Sequence, residues 1–432
     1  MVSTSEQRTV RGYMPSIPGP ENITRVELPN GIVLLVYENH ASPAAVVRGH
    51  LRAGSLFDSD ELPGVAAFTA EVVERGTDSR SFQAIAEETE SVGAAIDFGA
   101  GVHLVGFSAK GLSEDLALLL DILSDILQQP TFPKDEIERV RGEVLTGLRE
   151  REESTQAMAT LAFRALAYKD HPYGRDTLGT LASVEAIRRK HLKQFYRRYY
   201  RPEGMQLAVV GDVSARDVVA LVQRVLGDWQ VNGTPPSFAI PPLKPLNKAK
   251  RKHIKMKNKI QSDVVLGAPA LPRTHPDFLA AELADVILGE FGLMGRLGDN
   301  VRDRLGLAYY ARTQLESAPG PGAWSAYAGV SPQNVEAATE AMLGEMRRIQ
   351  VEEVSAEELA DVKDYVTGIQ PLRLESNDGI ASALLDMEFY NLGLDYLQRL
   401  PALVRAVSAD QVRSAAQKYL HTDAYALVVA GP

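Results

Sequence analysis

Two stretches of this chain end in the same way, and the distance between them constrains the fold more than any other feature. Val184 to Tyr199 is helical in pattern and leads into the strand-like run Met205-Gln-Leu-Ala-Val-Val-Gly211. Val404 to Leu420 repeats that pattern and leads into Tyr425-Ala-Leu-Val-Val-Ala-Gly431. The two closing glycines stand 220 residues apart, and the dipeptides Thr146-Gly147 and Thr367-Gly368 stand 221 apart. Landmarks recurring at nearly one offset indicate an internal duplication of about half of the 432-residue chain. Between the halves, Asn232-Gly-Thr-Pro-Pro-Ser237 through Pro241, Pro242 and Pro245 lacks helical periodicity and reads as a linker. The organisation expected is an N-terminal repeat over 15–231, a Pro-rich linker over 232–247 and a C-terminal repeat over 248–432.

Within the first repeat, Asn30 to Tyr37 and Ala45 to Arg52 read as strands. Val65 to Arg75, Ser81 to Val92, Leu112 to Leu127 and Lys134 to Arg149 read as helices, with apolar residues such as Leu116, Leu119, Leu120 and Leu123 at helical spacing. The fold class expected is α+β: two homologous repeats, each a mostly antiparallel sheet with helices packed on one face. Farther on, Lys255, Lys257 and Lys259 alternate with apolar residues, which predicts one lysine-bearing strand face that blunts a sheet edge.

Composition narrows the chemistry. With no cysteine, disulfides, thiol catalysis and thiolate metal sites are excluded, so a metal could rely only on His and carboxylates. The eight histidines are scattered, no two at the i, i+3 or i, i+4 spacing that places two ligands on one helix face. There is no G-x-S-x-G elbow and no P-loop. A net charge of −10 argues against a nucleic-acid partner. The opening Met1 to Tyr13 contains no signal-peptide core, and no run of ~18 apolar residues occurs anywhere, so a cytoplasmic protein with no membrane partner is expected. Gly289-Glu-Phe-Gly-Leu-Met-Gly-Arg-Leu-Gly298 follows a helical pattern over Phe278 to Leu288, not a strand, so it is no dinucleotide fingerprint; a plain interhelical loop and a substrate-contacting loop both remain open.

Four stretches in order resemble the inverted-zincin peptidases, the family of pitrilysin, insulin-degrading enzyme and the mitochondrial processing peptidase. Leu28 to Tyr37 resembles its opening strand, and Arg52-Ala-Gly-Ser55 the turn after its second strand. His171-Pro-Tyr-Gly174, Leu178-Gly-Thr180 and Tyr200-Arg-Pro202 through Gly211-Asp212 resemble the close of its first domain. Arg302-Asp-Arg-Leu-Gly-Leu-Ala-Tyr309 is similar to the arginine and tyrosine segment of its second domain. Active members carry H-x-x-E-H on a helix, two histidines for zinc and a glutamate to activate water. Aligning Gly64 to Thr77 on that helix puts Ala67, Ala70 and Glu71 at the three positions, and the third ligand, a downstream glutamate, falls on Gly147.

The resemblance therefore implies that this chain binds no zinc or other cofactor, while Arg302 and Tyr309 are retained to hold a substrate carbonyl and to donate to a developing oxyanion. Seven residues on one straight helix would also put Arg302 and Tyr309 on a common face, so a structural role stays open. Two-repeat members pair as halves of a clamshell, often an H-x-x-E-H subunit with a partner lacking it. The expectation is a non-catalytic, peptide-binding subunit of a heterodimeric zinc metalloendopeptidase, with the metal in a homologous H-x-x-E-H subunit and Gly289, Gly292, Gly295 and Gly298 as a candidate substrate loop. A catalytically inert scaffold of the same fold, like a respiratory-complex core subunit, is the alternative.

Overall fold

The computed structural model describes residues 17–432; the reading of Met1 to Tyr13 and the first residues of the expected N-terminal repeat lie outside them. The first half runs β1 (Ile23–Glu27), β2 (Val33–Glu38), β3 (Ala44–Leu51), α1 (Val65–Val73), α2 (Phe82–Ser91), β4 (Ala95–Ala100), β5 (Val105–Leu112), α3 (Leu116–Gln128), α4 (Lys134–Glu152), α5 (Thr155–Ala167), α6 (Leu181–Ala186), α7 (Arg189–Tyr199), β6 (Gln206–Gly211) and α8 (Ala215–Leu226). The second runs β7 (Lys250–Lys255), β8 (Ser262–Pro269), α9 (Phe278–Gly289), α10 (Phe291–Leu297), β9 (Ala308–Leu315), β10 (Ala323–Val330), α11 (Val335–Val351), α12 (Ala356–Arg373), α13 (Asn377–Phe389), α14 (Tyr396–Ala406), α15 (Ala409–Tyr419) and β11 (Ala426–Gly431).

The sheets have the orders β1-β2-β6-β3-β5-β4 and β7-β11-β8-β10-β9. Apart from β1 they correspond strand for strand in order and direction, down to the single parallel pair in each, β2 with β6 and β7 with β11. The landmark glycines close the equivalent strands β6 and β11, where the neighbouring strand crowds them: a Cβ on Gly211 would lie 2.2 Å from the Ala44 carbonyl oxygen, and one on Gly431 2.1 Å from the Ser262 hydroxyl.

Each sheet packs its own helices on one face, burying clusters that include Leu34, Val47, Phe68 and Leu120 in the first half and Val264, Leu283, Ala326 and Met342 in the second. The other faces are covered by exchange. Helix α13 sends Ile380, Ala381 and Leu384 onto Leu35, Val46 and Val210 of the first sheet, while α5 sends Ala159, Ala162 and Phe163 onto Val265, Ala426 and Val428 of the second. Being apolar on both faces, β6 and β11 are buried at every residue.

Several sequence expectations change in detail. The helix expected over Val184 to Tyr199 is two, because Ile187 and Arg188 are extended and the His191 side chain accepts from the Arg188 amide to start α7. The helix over Val404 to Leu420 breaks likewise at Val407, where Ser408 caps α15 by accepting from the Gln411 amide. In both places a capping side chain interrupts an apolar rhythm that continues through the break. Leu112 ends β5, and helix α3 begins only at Leu116. The lysines do not share a strand: β7 ends at Lys255, Asn258 turns the chain with φ 61°, and Lys259 pairs with Glu153 at 2.6 Å.

Residues 227–249 form no helix or strand. They are tied down by Arg201, whose guanidinium donates to the carbonyls of Val231, Asn232 and Gly233, and by His171, which bonds the Pro241 carbonyl at 3.0 Å. Neighbouring Tyr173 accepts from the Gly320 amide at 3.1 Å, so the His171-Pro-Tyr-Gly174 stretch joins the first half to linker and second half.

Candidate functional site

Helix α1 is set by its entry. Gly64 occupies the N-cap with φ 90°, where a Cβ would meet the Leu178 carbonyl at 2.6 Å, and the Asp58 carboxylate accepts from the amides of Gly64 (2.7 Å) and Ala66 (3.0 Å). Burial pushes the Asp58 carboxyl up to about 7, against the lowering effect of those two amides and Arg175. The helix then buries Phe68, Val72 and Val73 in the first core.

On the side facing α4, Ala67 is buried and Ala70 fully so, which leaves Glu71 as the exposed member of the aligned trio. Gly147 on α4 is also exposed, and a Cβ there would meet nothing within 4 Å. The Glu71 carboxyl, though its residue is exposed, sits low enough against the wall that burial pushes it up, Glu143 adding and Arg75 opposing. Burial likewise raises Glu74 to about 7, with Arg75 opposing and Glu71 and Asp97 adding. The surface is thus acidic and without imidazole. Among the described residues, no group of three or more His, Asp or Glu side chains could hold a metal ion. Zinc needs three converging protein ligands, and alanine and glycine supply none, so the residues present do not fit the metal.

The second half concentrates its candidates at one end of its sheet. Helix α9 closes on Gly289, where a Cβ would meet the Thr313 amide nitrogen of β9 at 1.9 Å. Helix α10 is helical in name only: Gly292, Leu293, Met294 and Gly295 have non-helical dihedrals, with φ positive at Gly292, Met294 and Gly295. Gly295 and Gly298 also lie against backbone. The stretch is therefore a wound glycine loop that presents Leu293 to solvent. A π-helical turn over Gly298–Arg304 follows, anchored to α11 by Asn300 donating to Glu345 at 2.7 Å.

Arg302 lies in that turn and Tyr309 on β9, so they do not share a straight helix as one reading of their spacing allowed. Among the described residues, Arg302 forms an ion pair only with the adjacent Asp303, at 3.3 Å. Tyr309 has no counterpart on β10: Tyr310 faces Gly329, Ala308 faces Val330, and the register shifts between them. Such a bulge re-aims a side chain, and Tyr309 is 68% exposed on the edge strand. Behind it the β9–β10 pair is fixed by buried Asp285 of α9, whose carboxylate accepts from the Leu315 amide (2.9 Å) and the Trp324 indole (2.7 Å). Burial raises Asp285 to about 6 against those donors.

The structure thus gathers Gly289, Gly292, Gly295, Gly298, Arg302 and Tyr309 around β9, and Ala67, Ala70, Glu71 and Gly147 around α1 and α4. No hydrogen bond, ion pair or ring contact among the described residues joins the two groups. Asp58 and Asp285 were missed in the sequence; a lone carboxylate carries no local signal of the donors a fold will bring to it.

Twin sheets of one topology, an α1–α4 surface that gathers no metal-binding group among the described residues and a bulged tyrosine on the opposite repeat characterise a two-repeat α+β fold. Residues 33–181 match the family described as insulinase (peptidase family M16), and residues 186–366 match the peptidase M16 inactive domain. The chain belongs to peptidase family M16. It is 26% identical to an uncharacterized zinc protease of Mycobacterium leprae over 95% of this chain and 92% of that protein. It is 25% identical to the mitochondrial-processing peptidase subunit beta of Mus musculus, over 94% of this chain and 83% of that one. Among solved structures, a peptidase M16 inactive domain from Pseudomonas fluorescens superimposes with a TM-score of 0.89 at 26% identity, covering 95% of this chain and 98% of the other. A protease from Helicobacter pylori shares the fold at TM-score 0.90 and 19% identity, covering 96% and 100%.

Proposed function

We propose that this chain is the non-catalytic, peptide-binding subunit of a heterodimeric zinc metalloendopeptidase. The observation that carries the reading is the contrast between the ligand-free α1–α4 surface and the bulge that turns Tyr309 outward. In this reading the zinc belongs to a homologous H-x-x-E-H subunit, and Tyr309 donates its hydroxyl to the oxyanion formed there while Arg302 holds a substrate carbonyl. Extended peptide pairs with an open sheet edge, β4 or β9, whose unpaired backbone groups supply affinity without strict sequence demands. The glycine loop beside β9 offers close backbone approach to that peptide. The setting is the cytoplasm; among the described residues no helix is long and apolar enough to cross a membrane.

The test is reconstitution. Alone, the chain is expected to carry no stoichiometric zinc and to cleave no peptide; mixed with its H-x-x-E-H partner it should support cleavage, and Tyr309→Phe should cut turnover about 10–1000-fold. A mixture whose turnover is untouched by Tyr309→Phe would make the chain a scaffold of the same fold. Chelator-sensitive cleavage by the homogeneous chain would end the proposal.

A further inference from the structure

Away from both candidate surfaces, α9, α12, α13 and α14 border an open-sided cavity of about 560 Å³ where the second half meets the helix lent to the first sheet. That volume is in the range of small-molecule sites. Four charged side chains line it: Arg273, Glu282, Arg373 and Asp386.

They face the cavity from its solvent-accessible side, Arg373 and Asp386 exposed and Arg273 and Glu282 half-buried. Arg273 is held by aromatic groups, donating to the Tyr396 hydroxyl at 2.6 Å and lying over the rings of Phe278 and Tyr396. Burial pushes the Glu282 and Asp386 carboxyls upward, while Arg273 pulls on both and Arg373 on Glu282, so these groups feel one another. Yet among the described residues no two of the four form an ion pair within 4.0 Å, and neither carboxylate accepts a hydrogen bond. Two carboxylates and two guanidiniums left unbridged around one cavity fit contents that carry both signs. The rest of the wall is apolar, with Leu374, Met387 and Leu397 facing the same space.

We propose that this cavity binds a free, zwitterionic short peptide with apolar side chains. Its ammonium is taken by Glu282 and Asp386, its carboxylate by Arg373 with Arg273 behind, and its side chains by the leucine and methionine wall. A cation alone would leave the guanidiniums unanswered, and an anion alone the carboxylates. Because Glu282 lies on α9, which runs directly into Gly289 and the glycine loop, an occupant bears on the same helix that positions β9. The proposal does not rest on the partner-subunit reading, since it concerns this chain alone.

The experiment is calorimetric titration of the full chain with leucyl-leucine, N-acetyl-leucyl-leucine and leucyl-leucinamide. Leucyl-leucine should bind with a Kd of about 0.1–1 mM, and blocking either terminus should weaken it about tenfold or more. Glu282→Gln should weaken leucyl-leucine to the level of the acetylated peptide. Arg373→Met, at an exposed side chain, should weaken leucyl-leucine while leaving the amide unchanged, a pattern that misfolding cannot produce. No binding of leucyl-leucine, equal binding of all three peptides, or unchanged affinity in both variants would overturn the assignment.

Discussion

Helices α1 and α9 occupy equivalent places in the two repeats, each following the strand at the centre of its sheet, and each is secured by one buried aspartate. They differ in where the aspartate acts. Asp58 lies before α1 and holds only the helix entry, so the far side of α1 answers to nothing but packing, and alanines fill it. Asp285 lies within α9 and reaches two strands, so the helix, the glycine loop and the Tyr309 bulge form one fixed assembly. A repeat whose anchor sits at the entry can lose its chemistry without loosening its fold; a repeat whose anchor ties the working strand cannot move that strand cheaply.

The sharpest test of this difference is Asp285→Ala. It strands the Trp324 indole and the Leu315 amide, at about 1–3 kcal/mol for each buried donor, so urea unfolding should show a loss of about 3–5 kcal/mol. The pH dependence comes next. Asp58 and Asp285 are raised from 3.8 to about 7 and about 6, so the native chain holds these protons more tightly than the unfolded chain. Their stabilising contribution is complete below about pH 4 and is lost as pH rises through about 6 for Asp285 and about 7 for Asp58, on the order of 3 kcal/mol for Asp285 and 4 kcal/mol for Asp58 at about 1.4 kcal/mol per pH unit. Urea midpoints measured against pH should therefore flatten in Asp58→Asn up to neutrality, and in Asp285→Asn over a window that closes earlier. A smaller effect is expected from Asp58→Ala, about 1–2 kcal/mol as for other helix caps; a loss equal to that of Asp285→Ala would erase the comparison. The smallest is a gain: Gly147→Ala, at an exposed helical site with open space for the methyl, should stabilise by about 0.5–1 kcal/mol.

How much of this was legible in the sequence depended on whether a feature is local. The duplication showed through Gly211 and Gly431 because each closes its strand hard against the neighbouring strand, Gly211 against the Ala44 carbonyl and Gly431 against Ser262, where a Cβ would not fit without a shift. The placing of Ala67, Ala70 and Gly147 on two helices could be read because the resemblance assigns those stretches to helices, and α1 and α4 carry them. The Tyr309 bulge could not, since it exists only as a register difference between β9 and β10. The helix breaks at Ile187 and Val407 were hidden because the apolar spacing runs across them, although the capping residues His191 and Ser408 were there to be read. The cavity between α9 and α14 draws its charges from two segments about a hundred residues apart, and no local pattern marks them.

The exchange of α5 and α13 also sets an order of events during synthesis. Helix α5 leaves the ribosome long before the strands it covers, and the first sheet keeps one greasy face open until α13 emerges late in the chain. Contacts of such sequence separation form slowly and expose aggregation-prone surface meanwhile. The nascent N-terminal half is thus an unfinished object that cannot be released safely as a fragment, and chain termination before α13 yields a product for chaperones and proteases, not a smaller working subunit.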